Sequence, residues 1–92
     1  MSTQLEKDRE QIDQIDAEIT RLFEERFGII KEIIEYKIEH RIPILDSGRE
    51  EVITARNLER ISDDAIRPYF RQWYAYMLDL SKEYQKEIMN RV

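Results

Sequence analysis

From Leu5 to His40 the chain carries no Pro and a single Gly, while apolar residues return at Ile12, Ile15, Ile19, Leu22, Ile29 and Ile33. Steps of three and four residues align these positions along one side of an α-helix, so one long helix is predicted. At about 1.5 Å per residue it is a rod of about 54 Å. A compact globule of 92 residues has a radius of gyration of only about 12 Å. One such chain cannot cover the rod, and a dimer is expected.

The run Arg41-Ile42-Pro43-Ile44-Leu45-Asp46-Ser47-Gly48 breaks the period, because the residue before Pro43 is pushed out of the helical region. A second helix follows. Asp46 or Ser47 is its N-cap, and Ser47 with Glu50 three positions on has the form of a capping box. It carries Val52, Ile53 and Leu58 and runs out near Ile61-Ser62-Asp63-Asp64. A third helix is expected to begin with Pro68, where a missing N–H costs nothing, with Phe70, Trp73, Met77, Leu80, Tyr84 and Ile88 as its apolar line. No segment alternates like a strand. Residues 1–92 thus read as a single all-α domain of one long, one short and one medium helix.

Composition narrows the function. Fifteen basic against twenty acidic residues leave a net charge of −5, with the cations scattered, whereas a nucleic-acid surface needs a basic stripe to neutralise phosphates. There is no cysteine, which excludes a disulfide framework or zinc knuckle. No apolar run approaches a membrane span and the N-terminal residues do not read as a signal peptide, so the expected location is the cytoplasm. A small anion held by a few buried cations stays open.

Arg26 occupies the next position of the apolar seam after Leu22, where a plain bundle would carry Leu or Ile. Lys37 lies eleven residues later, three turns plus about 20°, on the same face and about 16 Å further along. A buried charge without a partner is expensive, and Glu25, Glu32 and Glu35 mostly point elsewhere. Position alone leaves two readings: a ligand site, or seam cations whose heads reach round to solvent. Arg9 is about 25 Å from Arg26 along the rod and about 100° away around it. It reaches the same site only from a second chain, across an antiparallel two-fold pairing. Ser81 and Gln85, spaced i, i+4, share one face of the third helix and are either ligand-orienting groups or boundary residues. Asp46, Arg49 and Glu50 open the second helix, where they serve as caps or, with free N–H groups, bind a hydroxyl or anion. His40 reads as solvated. Trp73, Tyr74 and Tyr76 read as core and dimer contacts.

As a set these residues resemble the all-helical chorismate mutases over nearly the whole chain, from about Leu5 to about Met89. Arg9-Glu10-Gln11-Ile12-Asp13-Gln14-Ile15-Asp16 is similar to the opening of that family, Glu25-Arg26 to its Glu-Arg pair and Tyr36-Lys37 to its active-site Lys. Pro43 through Glu50 resembles its loop into the second helix, and Ser81-Lys82-Glu83-Tyr84-Gln85 its Ser and Gln pair. Gly28, Arg67 before Pro68 and the aromatic run Trp73-Tyr74-Ala75-Tyr76 depart from the family pattern.

The resemblance implies an intertwined homodimer with two equivalent sites that rearrange chorismate to prephenate on the route to Phe and Tyr, with no metal or cofactor. Chorismate is a dicarboxylate whose rearrangement needs no proton transfer or nucleophile, only conformational restriction and charge stabilisation. By the resemblance, Arg9 of the second chain, Arg26 and Arg49 hold the carboxylates with Ser81 assisting. Lys37 and Gln85 donate to the ether oxygen, and Glu50 with the backbone N–H of Asp46 holds the ring hydroxyl. Two alternatives remain: an isochorismate pyruvate lyase of the same fold, and a noncatalytic helical dimerisation or regulatory module.

Overall fold

A computed structural model describes residues 3–91, arranged as α1 (Gln4–His40), α2 (Ser47–Glu59) and α3 (Arg67–Asn90). Among these residues there is no strand and no helix long and apolar enough to cross a membrane. The expected order of long, short and medium helices is observed.

α1 starts in a capping box: the Thr3 hydroxyl accepts from Glu6 N at 3.1 Å, and the Glu6 carboxylate accepts from Thr3 N at 3.3 Å. It stops at Arg41, which adopts the left-handed conformation (φ 56°, ψ 42°). The Ile42 N–H then folds back onto the Lys37 carbonyl at 2.8 Å, closing the helix end ahead of Pro43. Gly28 sits on α1 with nothing within 4 Å of where a Cβ would stand, so relative to Ala it costs helix propensity, about 1 kcal/mol, and no contact within the protomer.

At α2 the structure selects one of the two expected caps and forms no Ser47–Glu50 box, and at α3 the start differs from expectation. Asp46, not Ser47, caps α2: its carboxylate accepts from Arg49 N at 3.0 Å, and Ser47 is the first helical residue. α3 begins at Arg67, one residue before Pro68, with no side-chain cap. Its Arg67 guanidinium instead reaches back to the Ile61 carbonyl at 2.8 Å and to Asp64 at 3.1 Å, tying down the connection from α2.

α3 packs on both other helices. It runs in the same direction as α1, since Ile19 and Leu22 lie near Phe70 and Trp73 while Phe27 meets Tyr84 further along. It runs against α2, since Glu50 pairs with Lys82 and Asn57 bonds the Tyr74 hydroxyl at 3.0 Å. The core is small, with Ile34, Tyr74 and Leu78 as its buried apolar members. On α3 the buried line is Tyr74, Leu78, Ser81 and Gln85. It is rotated from the expected line, and Trp73 and Tyr76 are exposed.

The molecule measures 59 × 27 × 15 Å with a radius of gyration of 17.0 Å, well above the compact value of about 12 Å. The α1 seam is bare, from Leu5 at 58% exposure through Ile12, Ile15, Ile19 and Leu22 to Ile33 at 40%. A single protomer leaves its longest apolar stripe in water.

Candidate active site

Eleven residues separate Arg26 from Lys37, and the helical period turns both toward the groove between α1, α3 and the start of α2. Arg26 Nη1 donates to Ser81 Oγ at 2.8 Å. The Ser81 hydroxyl donates in turn to the Met77 carbonyl at 2.9 Å, which leaves its lone pairs facing the guanidinium. Lys37 Nζ donates to the Ile44 carbonyl at 2.9 Å, fastening the end of α1 to the loop before α2. Both cations are half-buried. Their partners are a neutral hydroxyl and a neutral carbonyl, and among the described residues neither forms an ion pair, since Glu25 turns to Arg21 instead.

The i, i+4 pair on α3 is buried, with Ser81 3% and Gln85 6% exposed. Gln85 Nε2 uses one hydrogen on the Ser81 carbonyl at 3.3 Å, while its Oε1 is buried with no hydrogen-bond partner. An unpaired buried acceptor costs about 1–3 kcal/mol, and such a group in a folded protein calls for a specific reason. That oxygen calls for a donor from a ligand, while the second N–H of Nε2 is the group left free to donate.

From α2, Glu50 closes no capping box. Its Oε1 lies 3.2 Å from Lys82 Nζ on α3, and Lys82 also meets Asp79 at 3.3 Å. Burial pulls the Lys82 ammonium down, but its hydrogen bonds to Glu50 and Asp79, with their charges, outweigh it and hold the pKa above the ordinary lysine value. Lys82 is therefore cationic throughout the neutral range.

These elements enclose a cavity of about 170 Å³ lined by Arg26, Lys37, Asp46, Arg49, Glu50, Ser81, Lys82 and Gln85, with Ile30, Ile33, Ile44, Ile53 and Leu78 as apolar walls. The structure thus brings together seven of the eight residues singled out in the sequence. It adds Lys82, which a linear reading files as an exposed helix cation because its Glu50 partner is 32 residues away. The eighth, Arg9, sits exposed near the start of α1, about 25 Å from Arg26 by helix rise, and does not line the cavity. The lining holds four cations and two carboxylates, net +2 in a chain of net charge −5.

Chemically the lining suits an anion, with a polar end and an aliphatic wall. Arg26 and Arg49 supply forked N–H donors suited to carboxylates, Lys37 a mobile point charge, Gln85 a neutral amide and Glu50 an acceptor. The cavity is smaller than the 300–1,000 Å³ typical of ligand clefts, and the Ile33 side chain that borders it is 40% exposed.

Comparison with known proteins gives one match. The family model described as chorismate mutase type II aligns with residues 8–86, a span that includes Arg9 and every cavity-lining residue. Neither the curated proteins nor the solved structures gave a match to the chain.

Proposed function

The chain belongs to the chorismate mutase type II family, and on that premise we propose that it catalyses the rearrangement of chorismate to prephenate in a site shared between two copies. One observation carries the reading. Arg26 and Lys37 converge on a net-positive cavity with only neutral partners, so a dianionic ligand supplies the countercharge that the chain withholds.

In the reaction the ether C–O bond breaks as a C–C bond forms within the same molecule, and no proton changes hands. The site's task is to hold the chair-like conformer and meet the charge that grows on the ether oxygen. Arg26 and Arg49 grip carboxylates, with the Ser81 hydroxyl already oriented against the Arg26 fork. Lys37 and the free N–H of the Gln85 amide donate to the ether oxygen. Glu50 accepts the ring hydroxyl, assisted by the backbone N–H of Asp46.

The second copy completes the site. Its α1 covers the bare seam and an apolar depression of about 350 Å³ between Ile19, Leu22, Phe23, Phe70, Trp73 and Met77, and an antiparallel two-fold pairing carries its Arg9 toward the open side of the cavity. Burying this much exposed Ile and Leu at about 25 cal/mol per Å² favours association.

The test is to incubate the purified protein with chorismate and, separately, with isochorismate, and to identify products. Prephenate from chorismate, with little pyruvate from either substrate, supports the reading. Efficient release of pyruvate from isochorismate points to the lyase alternative, and no turnover of either points to a noncatalytic helical module.

A further inference from the structure

Lys82 is a lining residue to which the mechanism above gives no task, and its surroundings supply one. Among the described residues, the pair it makes with Glu50 is the one ion pair that joins two different helices; the other pairs lie within three or four residues of each other. Both side chains are largely withdrawn from water, Lys82 24% and Glu50 27% exposed. A lysine head is ordinarily free to choose among rotamers, but this one is held between Glu50 at 3.2 Å and the more exposed Asp79 at 3.3 Å.

The consequence falls on Glu50. Its carboxylate lines a cavity intended for a dianion, where an unanchored negative charge would repel the ligand or swing toward Arg26, Lys37 or Arg49 and neutralise them. Lys82 binds Oε1 from the α3 side, while Oε2 makes no hydrogen bond among the described residues and is left to accept one. We propose that Lys82 is a positioning residue for ligand binding: it pins the Glu50 carboxylate to the cavity wall with one oxygen free for the substrate hydroxyl, and keeps that carboxylate off the anion-binding cations. This inference rests on the mutase reading and deepens it.

A double-mutant cycle in steady-state kinetics with chorismate tests it. Lys82→Met removes the ammonium and keeps the stem. The loss of one charged hydrogen bond at a partly exposed pair is expected to raise KM about tenfold while kcat changes by less than about threefold, with unchanged far-UV circular dichroism. Lys82→Arg restores the cation and is expected to recover most of the lost affinity. Because the effect passes through Glu50, adding Lys82→Met to Glu50→Gln is expected to change KM by less than about twofold, the non-additivity of a coupled pair. An unchanged KM in Lys82→Met, the same penalty in both Glu50 backgrounds, or a fall in kcat alone that tracks lost helix content each overturns the positioning role. If the parent protein shows no turnover of chorismate, the mutase reading fails and this inference falls with it. Normal parental turnover with an indifferent Lys82→Met variant overturns this inference alone.

Discussion

Replacing Lys37 with Ala separates a contact seen in the structure from a role in the proposed reaction. Its ammonium donates to the Ile44 carbonyl at 2.9 Å, and in the proposed reaction it also faces the ether oxygen. Losing the bond to Ile44, a charge-assisted one between half-buried groups, costs about 1.5–3 kcal/mol. For a domain of this size that lowers Tm by about 4–8 °C per kcal/mol. Starting from the lower end of ordinary stability, about 5 kcal/mol, at least about 2 kcal/mol remains and more than about 95% of the chains stay folded. Loss of folded protein therefore cannot imitate a large kinetic defect. Removing a donor aimed at developing negative charge, by contrast, lowers kcat by about 10²–10³-fold, equivalent to about 2.7–4 kcal/mol. The assay is the initial rate of chorismate disappearance at saturating substrate, alongside thermal melts by circular dichroism. A variant that melts slightly early and turns over at least a hundred times more slowly meets the expectation. One whose kcat stays within about threefold of the parent while KM rises marks Lys37 as a uniform binding contact and refutes the charge-stabilising role.

Three further outcomes follow from the same geometry. Gln85→Glu replaces an amide donor by a carboxyl that donates only when protonated; its kcat/KM is highest at low pH and falls as the group ionises, burial raising its pKa from about 4.3 and Arg26, Lys37 and Lys82 lowering it, and a pH profile parallel to the parent's removes Gln85 from the ether-oxygen role. Mixing inactive Arg9→Ala and Arg26→Ala chains under exchange restores up to about a quarter of parental activity, since half of randomly formed dimers carry one site with both arginines; proven exchange without recovery contradicts the shared site. Ile34 is fully buried, so Ile34→Ala costs about 2–5 kcal/mol and lowers Tm by about 10 °C or more; a thermal melt that barely moves would place the core elsewhere.

The long helix was readable because its seam keeps the three-and-four spacing from Ile12 to Ile33, about six turns, and the cations were readable because they take positions on that seam. Arg26 is conspicuous only where Ile or Leu is expected, and Lys37 follows from the helical period. The start of α2 was less legible: Asp46 and Ser47 are both good caps, Asp46 takes the position by accepting from Arg49 N, and Glu50 turns to Lys82, a partner no local rule supplies. α3 carries apolar residues around most of its circumference, so sequence alone chose the line through Trp73, whereas packing against α1 and α2 selects Tyr74, Leu78, Ser81 and Gln85. Arg67 likewise takes over an anchoring task through the Ile61 carbonyl, a contact set by how the chain turns between α2 and α3.

The central claim, that the net-positive cavity rearranges a bound dianion without adding or removing any atom, is tested most directly by following chorismate by proton NMR in the presence of a substoichiometric amount of the protein. The account predicts that prephenate resonances replace those of chorismate one for one, far faster than in protein-free buffer, and that Arg26→Leu abolishes the acceleration. Chorismate decaying at the uncatalysed rate, or giving pyruvate in place of prephenate, would contradict it.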